Sequence, residues 1–376
     1  MNRSVYELGV GMRGPLRDWP TRLHVDLPLL VCLGLLSAVG LMILYSAGGE
    51  EMDLLVRQCL RLGLAFLVML TVAQIPSEWL HRIAPVLYGV GLILLVLVMG
   101  LGDIGKGAQR WLDLGVVRFQ PSEIMKLAMP LMTARYLHDR GLPPQRWDIP
   151  LILLLIGGPV LLIAEQPDLG TAVLVAVGGL AVLFLGGISW RWIGLFLGGL
   201  GAALPLLWGL MHDYQRQRVL TLLNPEADPL GSGYHIIQSK IALGSGGLFG
   251  KGWLNGSQAH LQFLPERTTD FIFAVYGEEF GLIGLVLLLA LYFAVTARGL
   301  QIAAQGQNSF ERLLAASLSF TFLFYVLVNT GMVCGLLPVV GVPLPLVSFG
   351  GTSMVTLLAG FGMLMSIQTH KKMLAP

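Results

Sequence analysis

The stretch Gly335-Leu336-Leu337-Pro338-Val339-Val340-Gly341-Val342-Pro343-Leu344-Pro345-Leu346-Val347-Ser348-Phe349-Gly350-Gly351-Thr352-Ser353 carries no charge, three prolines and a closing turn of small residues. Apolar sequence resumes directly after it and runs to residue 367. A soluble loop would be polar, and an uninterrupted membrane helix would not hold three prolines. Irregular backbone at membrane depth is tolerated only where protein buries it or where it lines a polar cavity. Gly/Pro-interrupted apolar segments are therefore candidates for the wall of a site. The alternative is a short re-entrant connection.

The rest of the chain agrees with a membrane setting. Of 376 residues, 55% are hydrophobic and 12% charged, against about a quarter charged in soluble domains. The mean hydropathy is +0.73. A net charge of +2 without a basic stripe gives no footprint for nucleic acid. Cys32, Cys59 and Cys334 stand apart, forming neither a disulfide framework nor a metal motif. Residues 1–26 contain Arg3, Arg13, Arg17 and Arg22 but no small-residue cleavage site, and read as a cytoplasmic tail rather than a signal peptide.

Spans of about 20 apolar residues fall at 27–45, 55–75, 83–101, 122–138, 149–164, 169–186, 192–210, 279–297, 313–332 and 347–367. The expected fold is an all-α integral membrane protein with ten transmembrane helices. It forms one polytopic domain over 27–376, with a long extracytoplasmic segment, about 211–270, between helices 7 and 8. Lys/Arg asymmetry sets orientation. The tail, Arg82, the loop with Arg135, Arg140 and Arg146, then Arg191, Arg298, Arg312, Lys371 and Lys372 share one side. That side is expected to be cytoplasmic, with both termini inside.

Two outer segments break the rule: 102–121 carries Lys106, Arg110 and Arg118, and 211–270 carries Arg216, Arg218, Lys240, Lys251 and Arg267. An anionic substrate such as a lipid phosphate would account for basic residues there. Connections beyond about 12–15 residues are uncommon unless functional or disordered. Within the longer one, Tyr234–Ala242 reads as an amphipathic helix on the membrane, followed by a turn at Gly244-Ser245-Gly246-Gly247.

Ionisable residues within or beside apolar spans are costly in lipid and point to functional pathways. Glu123 and Lys126 are three apart and share a helix face; the alternative is a pair that only fastens helices. Asp168 stands at the next outer junction, where the competing role is a helix N-cap. Asp270, in Glu266-Arg267-Thr268-Thr269-Asp270-Phe271-Ile272-Phe273, is a carboxylate pressed against apolar sequence. Partial desolvation would raise its pKa toward the range useful to a general base, and its competing role is also an N-cap. Glu278 and Glu279 read as part of an amphipathic stretch.

Gly9-Val10-Gly11-Met12-Arg13-Gly14 matches GxGxxG but lacks a preceding strand, and Gly250-Lys251-Gly252 lacks the P-loop spacing. No histidine pair has metal-ligand spacing along the sequence, and no nucleophile elbow is present.

Several longer motifs resemble one family: Gly105-Lys106-Gly107-Ala108-Gln109-Arg110-Trp111-Leu112, Gln120-Pro121-Ser122-Glu123-Ile124-Met125-Lys126, Gln166-Pro167-Asp168-Leu169-Gly170-Thr171, the Leu264–Phe273 stretch and the proline-rich run. In matching order from residue 27 on, they resemble the SEDS proteins, the shape, elongation, division and sporulation polymerases of bacterial peptidoglycan. Gly246–Gly252 followed by Gly256-Ser257-Gln258 looks more like the elongation branch than the division branch.

The resemblance implies a ten-helix glycosyltransferase that polymerises lipid II into β-1,4 glycan at the outer face of the cytoplasmic membrane. Asp270 would hold the essential carboxylate, with Glu123, Lys126 and Asp168 lining the same cavity. Arg110, Trp111, Arg216, Arg218, Lys251, Gln258 and Ser348 are the expected substrate-binding residues. The implied partners are a class B penicillin-binding protein and the elongation machinery. The family commonly has His where this chain has Thr269, and Tyr where it has Phe349. An α-linked undecaprenyl-diphosphate donor and a β product need one inverting displacement. That step needs a base on the acceptor hydroxyl and positive charge at the leaving diphosphate. Diphosphates favour a divalent cation, Mg²⁺ or Mn²⁺, yet the sequence shows no dedicated cage, so no metal ligands are assigned. A lipid II flippase and a non-catalytic scaffold for the transpeptidase are the competing readings.

Overall fold

The computed structural model describes residues 23–105, 108–113, 118–211, 213–227, 231–260, 263–264 and 266–371. Arg3, Arg13, Arg17, Arg22, the Gly9–Gly14 motif, Lys106 and Lys372 lie outside them.

Each expected segment overlaps a helix among the described residues. These helices are α1 Leu27–Ala47, α2 Met52–Ala73, α3 Ser77–Leu101, α4 Pro121–Arg140, α5 Asp148–Glu165, α6 Leu169–Leu185, α7 Trp190–Leu210, α11 Ile272–Ala304, α12 Ser309–Val333 and α13 Thr352–Thr369. Seven are long and apolar enough to cross a membrane, and α6 and part of α7 are shorter apolar helices. The charges of α4 keep it below that mark, although Glu123 and Lys126 are buried. The chain is a multi-pass membrane protein.

Local chemistry sets the helix limits. Asp26 caps α1 by accepting from Leu29 N at 3.0 Å. Pro121 opens α4 at its first turn, where its missing N–H costs nothing. Gly141, at φ 89°, ends α4. Since α3, α5 and α12 run toward one end and α4, α6, α11 and α13 run away from it, the bundle has a loop-rich end and a basic end. The loop-rich end carries 102–120, 166–168, 246–271 and 334–351; the basic end carries Arg82, Arg135, Arg140 and Arg298.

The all-α architecture carries one small addition. The 102–120 segment forms a small antiparallel sheet, β1 Asp103–Gly105, β2 Ala108–Asp113 and β3 Arg118–Phe119. Asp103 pairs with Trp111, and Leu112 with Phe119. Helical periodicity gives no warning of a hairpin this short.

The long segment contains α8 Asp213–Leu223, a 3₁₀ turn Pro225–Ala227, α9 Ser232–Ser245 and the single turn α10 Ser257–His260. α9 packs on α11 and α12 rather than standing as a separate amphipathic helix. Ser239 is fully buried there, donating to Val333 O at 2.8 Å. α11 breaks at Gly281, φ 63°, and the loop 246–252 fills the break. Lys251 N and Gly252 N donate to Glu278 O and Glu279 O at 3.0 and 2.9 Å, while Leu282 N donates to Gly247 O at 2.9 Å. The backbone groups freed by the break thus regain partners. A Cβ on Gly246 or Gly250 would collide with carbonyls of α11, which explains the glycines.

The proline run sits inside the bundle. Gly40 of α1 faces it, and an added methyl would meet Leu346 O and lie 2.8 Å from Val347 Cα. Because backbone cannot yield as a side-chain tip does, Gly40→Ala is expected to destabilise the protein by about 1–3 kcal/mol through overpacking. Thermal unfolding of the detergent-solubilised protein reads this directly, and an unchanged midpoint would refute the close packing.

Candidate active site at the loop-rich end

The site is organised around the proline run, with different helices closing on it from three sides. Asp270 occupies the turn before α11. Its backbone carbonyl accepts from Asn329 Nδ2 at 2.9 Å, and the same amide donates to Val342 O at 2.8 Å. Ser348 Oγ donates to Thr269 O at 2.5 Å and accepts from Leu344 N at 2.8 Å. Phe349 N donates to Thr268 O at 2.8 Å. The turn and the run are thus strapped together. The Asp270 carboxylate faces Gly341, whose virtual Cβ would stand 3.5 Å from Oδ2.

Asp168 approaches from the other side. It is the N-cap of α6, accepting from Thr171 N at 3.3 Å, so the capping role is real. It also accepts from Gln120 Nε2 at 2.7 Å and lies 3.9 Å from Arg110 Nη1. Arg110 Nη2 donates to Pro167 O at 2.6 Å, docking the hairpin of β2 onto the α5–α6 junction. Two residues on, Gly170 meets the run: a Cβ there would stand 2.8 Å from Val340 O. Val340 and Gly341 therefore lie between the Asp168 helix start and Asp270.

Below them, Lys126 Nζ donates to Glu123 Oε1 at 2.6 Å, and both side chains are nearly inaccessible, 6% and 5% exposed. Lys126 also lies 5.4 Å from the centre of the Tyr325 ring. Tyr325 lines two small cavities. One, about 40 Å³, is shared with Lys126, Thr321 and Thr356; the other, about 20 Å³, is shared with Pro343, Ser348, Gly350 and Ser353. Tyr325 and Asn329 are four apart on α12 and so share a face. That face connects the Glu123–Lys126 pair to the Asp270 turn. Beyond Lys126, toward the basic end, the first cavity is walled by Leu127, Leu318, Phe322, Phe361 and Leu364.

Tyr325, Asn329 and Gln58 were not among the expected site residues, and Gln120 stood in its motif without a role. Gln58 is buried on α2, donating to Ser348 O at 3.2 Å. An uncharged polar residue in an apolar helix is itself a signal, and Asn329 gave that signal. Tyr292 of α11 likewise donates to Pro345 O at 2.6 Å, fully buried. Tyr292→Phe is expected to cost about 1–3 kcal/mol by orphaning that carbonyl, with a lower unfolding midpoint. An unaltered midpoint would show that the carbonyl finds another partner.

The expected substrate-binding residues divide. Arg110 and Trp111 lie on β2 beside Asp168, each half-buried. Ser348 is 3% exposed and its hydroxyl serves the fold of the run. Lys251 donates to Glu278 Oε1 at 2.6 Å and to Ser257 Oγ at 2.8 Å. Gln258 N donates to the same carboxylate at 3.2 Å. Glu278, fully buried, is therefore the hub of the 245–258 loop rather than part of an amphipathic surface. Its neighbour Glu279 is buried against Ser46. Arg216 donates to Trp208 O and Gly209 O at 2.9 and 2.6 Å, a cation at the last carbonyls of α7. Arg218 shares α8, which packs on α9 and the 225–227 turn.

Among the described residues, no three metal-ligating side chains converge at this end. Glu123 is committed to Lys126, and Asp168 to Gln120 and Arg110. The described donor set at this end therefore forms no three-ligand cage. A cavity of about 590 Å³ lies between α5, α6 and α7, with walls such as Leu153, Leu183, Phe184 and Trp192. Its apolar lining suits acyl chains, and none of the candidate residues lines it.

Comparison with known proteins gives a consistent answer. Residues 23–373 match the FtsW/RodA/SpoVE model, described as a cell cycle protein. The chain is 54% identical over 355 residues to the peptidoglycan glycosyltransferase MrdB of Escherichia coli K12, covering 94% of this chain and 96% of the relative. A probable peptidoglycan glycosyltransferase FtsW of Escherichia coli O6:H1 is 38% identical over 324 residues, covering 82% and 76%. Among solved structures, one is a chain from a peptidoglycan synthase complex that coordinates polymerization and crosslinking. It superposes with TM-score 0.80 at 34% identity, covering 91% of this chain and 97% of that one. The rod shape determining protein RodA of Thermus thermophilus superposes with TM-score 0.70 at 32% identity, covering 92% and 98%.

Proposed function

Because the chain belongs to the FtsW/RodA/SpoVE family and is a peptidoglycan glycosyltransferase, we propose that its chemistry takes place around the proline run, with Asp270 as general base. The observation that carries this reading is the convergence of Asp270, the Asp168 helix start and the Tyr325–Lys126–Glu123 group on that one loop.

The substrate is lipid II, a disaccharide-peptide on an undecaprenyl diphosphate. Asp270 accepts the proton of the acceptor sugar's 4-hydroxyl as that oxygen attacks the anomeric carbon of the diphosphate-linked donor. The C–O bond to diphosphate breaks with inversion, giving the β linkage. Lys126 and Arg110 supply positive charge for the departing diphosphate. Glu123 holds Lys126, and Asp168 holds Arg110 and starts α6. Asn329 and Ser348 fix the turn that presents Asp270. The loop-rich end faces outward across the cytoplasmic membrane, with ten helices spanning it and both termini in the cytoplasm. The partner is a class B penicillin-binding protein, in keeping with the synthase complex that a structural neighbour comes from.

A flippase would need a polar path continuing past Lys126, where the cavity wall is aliphatic and aromatic. A pure scaffold would have no use for a buried Lys–Glu pair beside the loop. The test is incubation of purified protein with lipid II, with and without a transpeptidase carrying a dead active site, followed by gel analysis of glycan. Polymer supports the reading, whereas no polymer in either mixture from folded protein would return the site to the flippase or scaffold.

A further inference from the structure

At the basic end, far from the proline run, two histidines and an aspartate from different helices meet. One ring nitrogen each of His81 and His138 and one oxygen of Asp139 lie within 4.8 Å of one another. His81, in the first turns of α3, has Nε2 2.9 Å from Asp139 Oδ1 at the end of α4. The two imidazoles stand edge to face, centroids 5.4 Å apart at 85°. We propose that His81, His138 and Asp139 form a binding site for a first-row transition metal ion of the zinc class, with solvent as the fourth ligand.

Each ligand candidate is held by a further group, as metal ligands usually are. His138 Nδ1 is 2.6 Å from Ser309 Oγ at the start of α12, which leaves Nε2 of that ring for a ligand. Asp139 Oδ2 is engaged by Arg135 Nε at 3.4 Å, which leaves Oδ1 turned toward His81. Arg135 also donates to His81 O and Arg82 O at 3.0 and 3.1 Å, tying α4 to the start of α3. Phe310 meets the His81 ring edge-on at 5.1 Å. A polar cavity of about 260 Å³, lined by Ser77, Glu78, His81, Arg82, His138 and Asn308 among others, adjoins the rings and gives access.

Zinc bonds to imidazole and carboxylate of about 2.0–2.2 Å place tetrahedral ligands roughly 3.3 Å apart. The His81–Asp139 separation of 2.9 Å would open slightly and the longer ones, up to 4.8 Å, would close to that value by side-chain rotation. Two imidazoles and one carboxylate favour zinc, cobalt or nickel over magnesium or calcium, which prefer all-oxygen sites. The flanking Arg82 and Arg135 oppose any cation, so the site is expected to be exchangeable rather than permanent. Occupied, it would clip α3 to α4 directly, with α12 as the supporting element.

The test uses the intact, tag-free protein in detergent, stripped with chelator and titrated with Co²⁺ as a spectroscopic probe, then with Zn²⁺ in competition. One equivalent of Co²⁺ with tetrahedral visible absorption is expected, displaced by Zn²⁺. His81→Gln or Asp139→Asn should weaken binding at least about 10-fold and Ser309→Ala about 10-fold, as supporting-shell changes do. Lipid II polymerisation by these variants serves as the folding control and is expected to be retained. No tetrahedral spectrum, or an unchanged titration in the His81→Gln/His138→Gln protein, would overturn the site.

Discussion

Asp270→Asn protein is expected to fold normally and to polymerise lipid II roughly 10²–10⁴-fold more slowly, the range for removal of a general base. The amide is nearly isosteric with the carboxylate. The bond that anchors the turn runs from Asn329 Nδ2 to the backbone carbonyl of residue 270, so the strap survives the change. Asn329→Ala makes the useful contrast. It would orphan Asp270 O and Val342 O together, at about 1–3 kcal/mol for each buried group, and should lower both the unfolding midpoint and the rate. Chemistry and positioning are then separated by measuring the midpoint and glycan formation on the same samples. Normal polymer from well-folded Asp270→Asn protein would remove the base assignment.

The Glu123–Lys126 pair should respond to single and double substitution in opposite ways. Lys126→Met leaves a buried carboxylate whose Oε2 already has no hydrogen-bond partner. Breaking a buried pair from one side costs about 3–5 kcal/mol, so the single variant is expected to lose stability and activity together. Glu123→Gln/Lys126→Met removes both charges, and replacing a buried pair by neutral groups is often near neutral. The double variant is therefore expected to regain the wild-type midpoint while still failing to make polymer, because no ammonium remains for the diphosphate. Wild-type polymer from the double variant would reduce the pair to a fastener between helices.

Much of this was readable in the sequence because lipid makes it so. Apolar runs of fixed length, and the prohibition on unpaired backbone in hydrocarbon, locate every long helix, with the largest offsets at the start of α3 (77 rather than 83), the start of α13 (352 rather than 347) and at α11, which runs 272–304 rather than 279–297. There the break at Gly281 lets a half-helix sit buried under the 246–252 loop, and no apolar run announces it. Buried charges are legible for the same reason: Glu123 and Lys126 are conspicuous because such groups are expensive. A side chain that serves the fold through one hydrogen bond, such as Tyr292, looks like an ordinary tyrosine until its partner is known.

The sequence alone therefore determined the membrane class, the helix order, and which carboxylates and lysine deserved chemical attention, since those follow from local composition and from motifs. Tertiary structure decided which of them meet. It brought Asp168 and Asp270 to opposite sides of Val340–Gly341, gave Lys251 and Ser348 hydrogen-bond partners within the chain, and joined His81 to His138 across 57 positions of sequence. Proximity between distant segments depends on how whole helices pack, and no periodicity along the chain records that.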